Sequence, residues 1–194
     1  MKRQIKFFSA IIFVAIISSS LLADEGEELC EVVQTKISTV MTLLKDNELQ
    51  KEQREHKILR EIEVLFDYNL IARLSLGKAW KSLNAEKKAK FTEIFTKKLK
   101  ESYLEKLRLF NNERVVFESS KQTKKNRMEI LSYIVGKTDK KEVLYKFHNS
   151  KNSGWLIYDL EVEGISILRT YRTQFASELK KGNIDTLLEK LNAE

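Results

Sequence analysis

The chain is predicted to fold as a segregated α+β domain, with helices first, an antiparallel sheet after them, and helix again at the end. Three observations carry that prediction. In the first half, apolar residues recur at spacings of three and four, the period of a helix with one buried face. From Val115 onward that period gives way to β-branched and aromatic runs separated by polar turns. After Gly164 the helical period returns. The spacers between the strand runs are short, so neighbouring strands pair as a meander and the sheet is mostly antiparallel.

Leu29, Val33, Ile37, Val40 and Leu44 form the stripe of a first helix, and Ile58, Ile62 and Leu65 the apolar side of a second. Asp67 caps a short helix that runs through Leu76 and is closed by Gly77. Asn84 is the N-cap of a long helix over Ala85–Leu107, in which Phe91, Phe95, Leu99, Tyr103 and Leu107 fall at every fourth position. Strands are expected over Val115–Phe117, Met128–Val135, Glu142–Phe147 and Trp155–Val162. Alternation puts Val143, Tyr145 and Phe147 on one face of the third. Asn149–Gly154 supplies a hairpin loop, and Gly164 a tight strand-to-helix junction. A final helix is expected from Ile165, with Leu168, Tyr171, Phe175 and Leu179 on one face and Gly182 as its C′ residue. Ile184–Leu191 adds a last short helix. The chain has no proline, so glycine, asparagine and aspartate do the punctuating. No repeat, linker or internal domain boundary interrupts it.

The N-terminus has its own signature. Lys2, Arg3 and Lys6 precede an apolar run from Phe7 to Ile17, followed by small residues that end at Ala23. This is the pattern of a secretory signal peptide over residues 1–23, leaving a single domain at 24–194. A membrane span needs about 20 apolar residues, and this run is shorter. Cys30 stands far beyond the run behind Glu27 and Glu28, unlike a lipid-modified cysteine. As the single cysteine it forms no internal disulfide, so stability rests on packing. Loss of residues 1–23 lowers the formal charge from +7 to +4. Lys121, Lys124, Lys125 and Arg127 read as a solvated loop and strand end, and no pattern of basic and stacking residues indicates a nucleic-acid module.

The chemistry of catalysis is sparse. No phosphate-cradling glycine loop is present, so any ATP coupling resides in another protein. His56 lies in a charged helical run, and His148 has no cysteine or second histidine at metal spacing. No Gly-x-Ser-x-Gly elbow indicates a lipase. Asp159, Glu161 and Glu163 alternate along a strand and could share a face, but a solvent-facing strand end accounts for them more simply. Asp159 reads as a structural hydrogen-bonding group. Arg169 and Arg172 suit structural ion pairs or an anionic head group.

Two stretches carry a resemblance. Gly154 to Phe175, GWLIYDLEVEGISILRTYRTQF, includes the pairs Tyr158-Asp159 and Glu163-Gly164. Phe66 to Leu83, FDYNLIARLSLGKAWKSL, precedes the long helical run. In order and wording they resemble the MlaC family, also called the toluene-tolerance family, over nearly all of the chain after residue 23. The resemblance implies a periplasmic protein that ferries phospholipid between the two membranes of Gram-negative bacteria. It further implies a cone-like sheet similar to the nuclear-transport-factor fold, with helices around an internal lipid cavity. Its partners would be phospholipid, an inner-membrane ABC transporter complex and an outer-membrane lipoprotein complex, with the carrier a monomer and no cofactor beyond its cargo. Phe91, Phe95, Tyr103, Val143, Tyr145, Phe147, Trp155, Ile157 and Tyr171 are expected to supply much of the cavity wall, since their faces converge between helices and sheet. The alternatives are another cargo such as an isoprenoid lipid, a small periplasmic enzyme using Asp159 or His148, and an adaptor with a filled core.

Overall fold

The computed structural model describes residues 9–110, 113–150 and 152–193, with side chains from Glu25 onward. Residues 1–8 of the expected signal peptide, with the basic Lys2, Arg3 and Lys6, lie outside the described residues. Among the described residues, no helix is long and apolar enough to cross a membrane.

Four helices come first: α1 (Ser9–Lys45), α2 (Lys51–Glu63), α3 (Tyr68–Leu76) and α4 (Ala85–Leu107). Four strands follow, β1 (Arg114–Lys124), β2 (Arg127–Val135), β3 (Lys140–Ser150) and β4 (Gly154–Val162), and then the two-residue β5 (Ile165–Ser166). Helices α5 (Ile167–Lys181) and α6 (Ile184–Ala193) close the described chain. The five strands pair in chain order, every neighbouring pair antiparallel. The expected α+β class and meander are what the chain adopts.

The local signals act where expected. Asp67 Oδ1 accepts from Leu70 N at 2.8 Å and starts α3. Gly77 ends it at φ 56° and ψ −119°, a conformation that side chains rarely adopt. Asn84 Oδ1 accepts from Lys87 N at 2.8 Å and starts α4. Other expectations need correction. Strand β1 runs on to Lys124, beyond the expected end at Phe117, because its exposed polar half is held by the ladder to β2 rather than by burial. Glu163 (φ 50°) and Gly164 (φ 74°) form a two-residue turn with both φ positive, as in a type I′ hairpin. That turn folds Ile165–Ser166 back onto Glu161 and Val162, so the helix starts at Ile167 instead of Ile165. Gly182 follows α5 with extended φ of −152°, not the left-handed geometry of a C′ glycine.

The core is divided. One apolar cluster joins Leu29 and Val33 of α1 to Met128, Ile130, Val143, Tyr145, Phe147 and Ile157 of the sheet. A second is built by helices alone, from Ile71, Ala72 and Leu76 of α3, Phe91, Phe95 and Leu99 of α4, Phe175 of α5 and four residues of α6. A small third cluster holds Val40, Ile58 and Leu104 where α1, α2 and α4 meet. The link between α2 and α3 is fastened to β4. Ile157 N donates to the Leu65 carbonyl at 2.7 Å, and Asp67 N donates to the Ile157 carbonyl at 2.9 Å. Leu65, read from sequence as part of the second helix, lies instead in this link.

Candidate functional site: an apolar interior between helices and sheet

The nine expected wall residues fall into two groups. Phe91 and Phe95 are fully buried in the helical cluster, with Tyr103 and Tyr171 packed against it. Val143, Tyr145, Phe147 and Ile157 are buried in the sheet cluster, with Trp155 packed against it. Within the helical group the rings are tightly interlocked. Phe95 meets Phe91 at 5.4 Å, Tyr171 at 4.9 Å and Phe175 at 5.1 Å between centroids. Such ring pairs add stability beyond their buried area.

Phe66 joins the two groups. It packs against both clusters, stacks on Tyr103 at 5.6 Å and on Tyr68 at 5.8 Å, and pairs with Ile157 across the parallel bridge to β4. Sequence periodicity gave Phe66 no helical stripe, although it opens one of the two stretches that carry the family resemblance. Around it α3, α4, α5 and β4 leave a crevice lined by Phe66, Leu99, Tyr103, Tyr158, Leu168 and Tyr171. Its volume is ≈ 10 Å³, about the space of a single water. At this crevice the helical cluster and β4 meet closely.

Polar groups at the seam serve as fasteners. Asp159 is buried, its Oδ2 accepting from Ser166 Oγ at 2.7 Å and its Oδ1 from Leu168 N at 3.0 Å. Ser166 Oγ in turn accepts from Arg169 N at 3.0 Å, so the pair caps the start of α5. His148 Nε2 lies 2.7 Å from Asp67 Oδ2, the oxygen left over from the α3 cap. Asp159 and His148, the two residues of the enzyme alternative, are thus each tied to a helix start. Glu161 pairs with Lys146 and Glu163 bonds to the Glu142 backbone, so the three alternating carboxylates are separately engaged. Among the described residues no cluster of three or more His, Cys, Asp or Glu could hold a metal. Arg172 lies against Gly77 at the end of α3, where helix carbonyls favour a cation.

The interior phenols are kept neutral. Burial, then the neighbouring Tyr68, Tyr171 and Asp159, raise the Tyr103 phenol far above its ordinary value. Burial pushes Tyr145 up to about 12, partly offset by its hydrogen bond with Ser132. Cys30 is also raised, by burial and then by Glu31 and Glu27, which disfavours the reactive thiolate. Three buried side-chain atoms have no partner among the described residues: Tyr68 Oη, Trp155 Nε1 and Arg127 Nη1. Arg127 corrects the reading of a solvated strand end, because its guanidinium lies 4.5 Å over the Tyr158 ring.

The MlaC protein family, compared through its sequence profile, matches residues 34–193. The chain belongs to the MlaC family. The intermembrane phospholipid transport system binding protein MlaC of Haemophilus influenzae is 29% identical to it over 120 residues. That match covers 60% of this chain and 56% of the relative, so it spans little more than half of the relative's length. A solved phospholipid-binding protein from Ralstonia solanacearum, in complex with a phospholipid, superposes with a TM-score of 0.74 at 21% identity. The superposition covers 84% of this chain and 94% of that one, so the two share a fold. Both motif stretches, Phe66–Leu83 and Gly154–Phe175, lie inside the matched region.

Proposed function

We propose that this MlaC-family chain is a periplasmic lipid carrier, active as a monomer after residues 1–23 are removed. It takes up phospholipid by the acyl chains and passes it between an outer-membrane lipoprotein complex and an inner-membrane ABC transporter complex. The observation that carries the reading is the division of the apolar interior into two surfaces that Phe66 joins.

The physical demand on such a carrier is severe. Two acyl chains hold roughly 30 methylene groups at about 0.8 kcal/mol each, so exposing them to water costs on the order of 20 kcal/mol or more. The carrier must therefore offer a dry space of several hundred Å³, against the ≈ 10 Å³ present between the surfaces here. Lipid enters by parting them. The fasteners at Ile157, Asp67 and Asp159 tie the starts of α3 and α5 to β4, while α4 and α6 lean on other helices. Rotation about the β4 edge would swing Phe91, Phe95 and Tyr103 away from the sheet without breaking the ladder. With Asp159 bonded at the start of α5 and His148 held by Asp67, the geometry supports carriage over catalysis, and the chemistry of ATP belongs to a partner.

The direct test is uptake. The delipidated protein, incubated with vesicles of phosphatidylethanolamine and phosphatidylglycerol and then re-isolated, is expected to retain about one phospholipid per chain by organic extraction and phosphate assay. Recovery of phospholipid no greater than from a non-binding control protein would overturn the reading.

A further inference from the structure

Tyr68, the first residue of α3, has a buried hydroxyl that meets no hydrogen-bond partner among the described residues. Its ring stacks on Phe66 at 5.8 Å and lies 5.4 Å below the Lys100 ammonium, which is itself engaged by Glu63 at 2.5 Å. Burial first, and then the Glu63 carboxylate, raise this phenol well above its ordinary value, so it remains an O–H donor at any physiological pH. Phe66 also stacks on Tyr103 at 5.6 Å, and the Tyr103 phenol is close enough to Tyr68 to be raised by it. Both phenols therefore pack beside the side chain that joins the apolar surfaces. A buried donor without an acceptor is unfavourable, and phenylalanine would fill the same space without that cost.

Hydrocarbon chains cannot satisfy such a donor. The acceptor that lies nearest an acyl chain in a glycerolipid is the carbonyl of the ester joining the chain to glycerol. We propose that Tyr68, with Tyr103 beside it, donates a hydrogen bond to an acyl-ester carbonyl of the cargo, so that the carrier selects ester-linked lipid over ether-linked or purely isoprenoid lipid. This rests on the lipid-carrier reading and adds to it a specificity-determining residue. One chain enters beside Phe66 while its ester stays at the Tyr68 hydroxyl, which fixes the depth of insertion.

The test is competition between diester phosphatidylglycerol and its diether analogue with chains of equal length, both in mixed vesicles. The wild-type protein is expected to take up the diester in roughly three- to tenfold preference, the effect of one net hydrogen bond. Tyr68→Phe is expected to abolish the preference while its melting temperature is unchanged or higher. The control Tyr133→Phe, a substitution on β2 whose hydroxyl bonds Glu118, is expected to keep the preference. Equal uptake of both lipids by the wild type, or an undiminished preference in Tyr68→Phe, overturns this inference and leaves the carrier reading intact. Uptake of neither lipid defeats the carrier reading and this inference together.

Discussion

Phe95→Ala is expected to destabilise the domain by about 3–5 kcal/mol, the usual range for removing a fully buried aromatic ring. Phe95 has 0% of its surface exposed and contacts the rings of Phe91, Tyr171 and Phe175. Its removal strips ring contacts from both α4 and α5 at once, and the interlocked neighbours leave little scope for collapse into the space. Most small domains have a total stability of roughly 5–15 kcal/mol, so the variant should approach the limit of folding. Urea denaturation followed by far-UV circular dichroism measures the change. A loss below about 1 kcal/mol would mean that the helical cluster is already loose around Phe95.

Leu168→Trp is expected to act on binding instead. Leu168 lines the crevice beside Phe66, Tyr103 and Tyr171, and its backbone N–H is anchored by Asp159 at 3.0 Å. A tryptophan there has a seam to fill rather than a rigid core, and overpacking costs about 1–3 kcal/mol. On the proposed route the ring blocks the chains' way to the interior, so phospholipid uptake from vesicles should fall at least about tenfold, a change of about 1.4 kcal/mol in binding. The comparison with Phe95→Ala matters most: one variant should lose much of its stability, the other should stay folded and empty. Normal uptake by a folded Leu168→Trp protein would place the lipid elsewhere.

The sequence made the elements legible wherever a local rule operates. The fourfold spacing from Phe91 to Leu107 marks α4, Asp67 and Asn84 mark helix starts by short side-chain caps, and Val143, Tyr145 and Phe147 mark a buried strand face by period two. What escaped depends on partners far apart in the chain. The link from Leu65 to Asp67 is drawn onto β4 by hydrogen bonds to Ile157, which no nearby residue announces. The Asp67–His148 contact, 81 positions apart, made His148 look isolated. Tyr158 is left opposite the step between Lys146 and Phe147 of β3, and that bulge is invisible to a strict alternation. The same holds for the site. Apolar periodicity identifies residues that leave water, but a wall that opens and a core that does not are equally apolar. In the proposed carrier the difference lies in Phe66 and its position between two clusters, which is a property of packing.

Native mass spectrometry of the protein, purified from the periplasm without detergent, tests the lipid-carrier account most directly. The account predicts a dominant species heavier than the polypeptide from residue 24 to 194 by the mass of an intact glycerophospholipid, which dissociates when the protein is unfolded. A bare polypeptide that also gains no mass after incubation with phospholipid vesicles would contradict it.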